Sequence, residues 1–149
     1  MTRALGVRCS KDTLDWAMVE GDDRASASVI DSARVTAPAG SRGEQLGWAR
    51  KEILEILSRH AADVVALRAA EPGGQANSLP RAEVEGVVQE AVASAGVECR
   101  RVVAASLRSA FSAKKKAELD EALVAMPLVA ATAKTRRDPV TAALAVIKA

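Results

Sequence analysis

The sequence predicts an α/β chain built on a five-stranded mixed sheet, three antiparallel strands followed by two parallel crossover strands, with helices on both faces. Three observations carry this. Three short runs near the start have strand composition and are separated by turn residues. Two later stretches, 41–59 and 80–95, space their apolar residues as helices do. Each of these is followed by a short strand-like run, the succession that parallel crossover connections produce.

Residues 4–10 and 13–20 read as the first two strands, with Ser10-Lys11-Asp12 as the turn between them and Gly21-Asp22-Asp23 as the next turn. A third strand runs over about 28–37, which completes a meander. Beyond Pro38-Ala39-Gly40, Ser41 caps a helix reaching Arg59, and Glu44 three residues on completes a capping box. Leu46, Ala49, Ile53, Leu54, Ile56 and Leu57 supply its core side. Residues 63–68 form a continuous apolar run of the kind that a strand covered on both faces shows. The turn-rich stretch 71–78 is the longest candidate for a mobile or functional segment.

Val84, Val87, Val88, Ala91 and Val92 mark a second amphipathic helix over 80–95, ended by Gly96 in the position of a C-cap. Residues 97–104 are the fifth strand. A short segment at 107–111, a helix over 114–126 and a closing helix over 138–148 follow. In the last, Asp138 is placed as the N-cap and Pro139 as the first helical residue. No internal repeat and no boundary divides residues 1–149, so a single domain is expected.

Composition limits the function classes. The 49% hydrophobic and 27% charged content suits a folded globular chain, and 149 residues can build a self-sufficient core. No apolar run is long enough to span a membrane, and the N-terminus lacks the pattern of a secretory signal. Cys9 and Cys99 form no metal-ligand or disulfide pattern, so a reduced cytoplasmic setting is expected. The lone histidine, His60, ends a helix where a cation meets the dipole, and no nucleophile stands near it in sequence. Trp16, Trp48 and Phe111 are the only aromatic residues besides it, which leaves little on which bases could stack. Both tryptophans read as core or interface residues.

Gly6-Val7-Arg8-Cys9-Ser10, Val64-Val65-Ala66-Leu67-Arg68 and Asp138-Pro139-Val140-Thr141-Ala142-Ala143 resemble segments of RuvC-type Holliday-junction resolvases, of the ribonuclease H-like fold. Gly6-Val7-Arg8-Cys9-Ser10 followed by Trp16-Ala17-Met18-Val19 is similar to their first hairpin, whose strand reads Gly-Ile-Asp-Pro-Gly. Val64-Val65-Ala66-Leu67-Arg68 resembles their fourth strand, which ends in a catalytic Glu. The stretch Arg81–Arg101 resembles the next helix and strand, and Ser106–Glu118 the segment after it. Asp138-Pro139-Val140-Thr141-Ala142-Ala143 is similar to their final Asp-x-x-Asp-Ala-x-Ala helix.

Such nucleases hold two Mg²⁺ ions about 4 Å apart with converging carboxylates. By the resemblance, Arg8 stands at the first-strand Asp, Arg68 at the fourth-strand Glu and Thr141 at the second Asp of the final helix. Only Asp138 matches. Two guanidinium groups at carboxylate positions repel Mg²⁺, so the matching positions assemble no metal site and no cofactor is expected. A relocated acid set would draw on Asp12, Asp15, Glu71 and Asp138, with Glu71 and Asp138 as catalytic candidates. Each also has a plainer reading: a turn residue for Asp12, a solvent-facing side chain for Glu71, a helix cap for Asp138. Arg8 and Arg68 either form ion pairs with Asp138 or Glu71, or bind phosphate, for which the planar guanidinium is suited.

Charge is unevenly distributed. From Cys99 onward ten basic residues face four acidic ones, a segment of +6, which leaves −4 for residues 1–98 within the total of +2. Lys114-Lys115-Lys116 and Lys134-Thr135-Arg136-Arg137 are the densest clusters, either a solvated face or a surface for a polyanion backbone.

Three readings of function remain. The first, which is favoured, is a catalytically degenerate RuvC-like domain, a pseudo-nuclease acting by binding a DNA or RNA backbone, a partner protein or its own copy. The second is a Mg²⁺-dependent nuclease with the relocated acids. The third is a structural subunit with no nucleic-acid role. The resemblance also implies a homodimer, since resolvases of this type work as dimers.

Overall fold

The computed structural model describes residues 1–71 and 78–149. The strands are β1 (Thr2–Cys9), β2 (Thr13–Gly21), β3 (Ser28–Thr36), β4 (Val64–Arg68) and β5 (Glu98–Val102). They form one sheet in the order β3-β2-β1-β4-β5. β1 and β2, and β2 and β3, pair antiparallel, while β4 joins β1 and β5 joins β4 in parallel. The mixed sheet expected from the sequence is therefore present. The turn-rich run 72–77 lies outside the described residues.

Alternation along the strands sends side chains to two faces. On one, Leu5, Val7, Trp16, Met18 and Leu67 pack against α1 (Arg42–Arg59) and α2 (Ser78–Ser94) through Ile53, Ile56, Val84 and Val88. Trp16 is a core residue, and Trp48 is partly buried against the same core. Ser41 and Glu44 make the reciprocal bonds of the capping box, and Gly96 takes a φ of +75°, the left-handed turn that ends α2. His60 caps α1, and its Nε2 lies 2.9 Å from Asp31 of β3, so it ties helix to sheet.

The other face carries α3 (Ala104–Ala110), α4 (Lys116–Val124), α5 (Pro127–Ala131) and α6 (Arg137–Val146). The sheet is lined there by Ala4, Gly6, Ala17 and Ala66, all small, and Val140, Ala142, Ala143 and Leu144 of α6 are completely buried against it. A Cβ on Gly6 would overlap the Pro139 carbonyl. Only glycine there lets the start of α6 rest on β1.

The C-terminal third departs from the sequence reading in its boundaries. Helical structure begins at Ala104, which shortens β5, the expected helix 114–126 is α4, shorter by two residues at each end, and a further short helix that the sequence did not announce, α5, begins at Pro127. A 3₁₀ turn at Lys134–Arg136 runs directly into α6, so Arg136 is the cap residue, without a side-chain bond, and Asp138 lies inside the first turn. Asp138 is thus not the N-cap. Pro139 is the third helical residue, where its missing N–H costs nothing because first-turn donors have no partner within the helix. Among the described residues no helix is long and apolar enough to cross a membrane.

Candidate functional site

The register places four charged residues in a row across the α6 face of the sheet. Arg34 of β3 is opposite Asp15 of β2, Asp15 opposite Arg8 of β1, and Arg8 beside Arg68 of the parallel strand β4. Arg8 and Arg68 sit near the carboxyl ends of parallel strands, where open α/β sheets gather ligands. As neighbouring like charges they repel, so each needs a counter-anion.

The structure supplies one to each. Arg8 Nε is 3.0 Å from Asp138 Oδ2, delivered by the start of α6 where it rests on Gly6. Arg68 Nη1 is 3.1 Å from Glu71 Oε1, and the same nitrogen also bonds the Ala69 and Val102 carbonyls. Glu71 folds back over the end of β4 instead of facing solvent freely. Its Oε1 also accepts the Ala104 N–H at 2.8 Å, in the first turn of α3. That bond, reinforced by Arg68, holds the Glu71 carboxyl below the usual glutamate range.

Asp15 has a partner of its own. It is 1% exposed, and Arg34 grips both its oxygens, Nε at 2.7 Å and Nη2 at 2.9 Å. Of the four acids considered for a relocated set, three are therefore engaged by separate arginines. Among the described residues no three His, Cys, Asp or Glu side chains converge as a metal cluster. This donor set does not fit a pair of Mg²⁺ ions, because a guanidinium sits against each of those three carboxylates.

Beside this row opens a cavity of about 450 Å³. Arg68, Arg108, Lys116 and Arg137 stand on its walls, with Asp120 and Asp138 as its acids and Leu107 and Leu119 at its apolar base. One residue from each basic cluster, Lys116 and Arg137, reaches this cavity. Lys114, Lys115, Lys134 and Arg136 do not line it. Reasoning from the sequence alone misses Arg108, which belongs to neither basic cluster. Its position directly after Leu107, which packs inward, is the signal that sets it at the edge of the core.

Arg24 is missed in the same way. Its guanidinium donates to the carbonyls of Ala110, Leu144 and Ala145 and lies 4.7 Å over the Phe111 ring. It thereby holds the C-terminal ends of α3 and α6 together, opposite the cleft-facing start of α6. Nothing in the turn 21–27 announces this, since its partners lie far along the chain.

A mixed sheet of this order, with a closing helix crossing its first strand, is the ribonuclease H-like fold in the form that RuvC has. The solved structures bear this out at the level of fold. Thermus thermophilus RuvC superposes with a TM-score of 0.78 at 20% identity, over 97% of this chain and 92% of that one. The same protein in complex with a Holliday junction substrate gives 0.76 at 19% identity, with the same coverage. The yeast mitochondrial Holliday junction resolvase gives 0.62 at 6% identity, over 98% and 76%. No family model and no curated protein matches the chain.

Proposed function

We propose that the chain works as one RuvC-like domain, residues 1–149, that binds the phosphodiester backbone of a nucleic acid and does not hydrolyse it through metal ions. The observation that carries this reading is the pairing of Asp138 with Arg8 and of Glu71 with Arg68 at the carboxyl ends of β1 and β4. Two-metal hydrolysis needs anionic oxygens free to converge, and these are neutralised by arginines. Phosphate, by contrast, suits the guanidinium fork. Arg68, Arg108, Lys116 and Arg137 would meet one stretch of backbone in the cleft, with Arg8 held by Asp138. Lys114, Lys115, Lys134 and Arg136, next to Lys116 and Arg137 in sequence, would add further backbone contacts. With three aromatic residues besides His60 in the chain, recognition rests on backbone and shape rather than on stacked bases.

The test is fluorescence anisotropy with duplex DNA, duplex RNA and a four-way DNA junction, without divalent ions, across a salt series. Binding that weakens as log salt rises, and is reduced by Lys116→Glu with Arg137→Glu, supports the reading. No affinity at low salt overturns it in favour of a protein partner. Mg²⁺- or Mn²⁺-dependent cleavage abolished by Asp138→Asn overturns it in favour of a nuclease. Whether it binds as a homodimer is read from the mass in solution, 15.5 kDa or twice that.

A further inference from the structure

We infer that Asp138 and Glu71 act as carboxylate latches, occupying the guanidinium groups of Arg8 and Arg68 until a phosphodiester displaces them. The inference rests on the backbone-binding reading and adds a regulation to it. Asp138 lines the cavity and is bonded to Arg8, so the arginine beside the space a backbone would enter is already occupied by a carboxylate. Glu71 holds Arg68, which does line the cavity.

Both latches are weak enough to open. The side chains of Arg8 and Asp138 are 32% and 56% exposed, and those of Arg68 and Glu71 are 18% and 46%. Solvent-accessible pairs of this kind contribute little net stability. A phosphate offers the same guanidinium a charge-assisted, bidentate arrangement. Each displaced carboxylate also gains water in exchange for its lost partner. The two acids therefore compete with the ligand for the same nitrogens instead of holding a metal that would attract it.

This makes the effect of removing them opposite in sign to that expected of a metallonuclease. Asp120 provides the control. It lines the same cavity, and none of the ion pairs of the described residues involves it, so Asp120→Asn removes the same charge without freeing an arginine.

The experiment compares wild type, Asp138→Asn, Glu71→Gln and Asp120→Asn in anisotropy titrations on labelled duplex DNA and duplex RNA without divalent ions, with folding checked by circular dichroism. At low salt each latch variant is expected to bind about threefold tighter than Asp120→Asn, and its slope of log K against log salt to steepen by about one, the signature of one added phosphate contact. Adding Arg8→Met to Asp138→Asn should abolish that gain. If Glu71→Gln does not fold, Asp138→Asn and its Arg8→Met partner carry the test. Latch variants that bind no better than Asp120→Asn overturn the latch while wild-type binding leaves the backbone reading standing. No binding by any of the proteins overturns both.

Discussion

Asp138 reaches Arg8 because Gly6 carries no side chain. The start of α6 rests on β1 at Gly6, against the Pro139 carbonyl, and this brings the neighbouring Asp138 to within 3.0 Å of the Arg8 guanidinium two residues further along the strand. An acid from the end of the chain and a base from its beginning meet through the packing of a glycine that belongs to neither.

Gly6→Ala should therefore destabilise the fold and loosen the pair. A Cβ there meets backbone, which cannot swing aside, and overpacking of this kind costs about 1–3 kcal/mol or more. Urea denaturation should show a lower midpoint with an unchanged slope. A midpoint equal to that of wild type would mean α6 does not rest on β1.

The Arg8–Asp138 pair itself should contribute little to stability. With both side chains partly exposed, a double-mutant cycle of Arg8→Met and Asp138→Asn should give a coupling of at most about 1 kcal/mol, smaller still at high salt. A larger coupling would make the pair a structural element instead of a displaceable one.

Arg24 should behave differently. Its guanidinium satisfies carbonyls at the ends of two helices, so Arg24→Met should lower stability by about 1.5–3 kcal/mol. The same denaturation measurement reads this. The loss should be insensitive to salt, because the partners are backbone dipoles and not charged side chains.

Glu71 predicts a pH dependence. Its folded carboxyl is held below the ordinary value of 4.5, first by the Ala104 N–H and then by Arg68, so folding favours the charged form. That contribution is whole above the ordinary value and is lost as pH falls through the depressed one. The Tm difference between wild type and Glu71→Gln should be present at neutral pH and shrink as the pH is taken well below 4.5. A difference that does not change with pH would separate Glu71 from the α3 terminus.

The two thiols should differ in reactivity. Burial raises the pKa of both, but Cys9 is completely buried while Cys99 is only partly so. In the native protein a thiol reagent should modify Cys99 slowly and leave Cys9 untouched until the chain unfolds.

The order of the five strands with α1 and α2, the Ser41–Glu44 capping box, the Gly96 turn and the core sides of α1 and α2 are legible in the sequence. Each of these is written in residues within a turn or two of one another, where periodicity and capping act. The sequence also points to Arg8, Arg68, Asp138 and Glu71, and leaves open whether the arginines take acids or phosphate. That Asp138 lies within α6 and pairs with Arg8, that Glu71 folds back onto Arg68, and that Asp15 is claimed by Arg34 emerge with the packed fold. So does the cleft that Lys116 and Arg137 share with Arg108. The reason is geometric: those partners come from separate strands and helices, and strand register together with the close seat of α6 on Gly6 sets which of them meet.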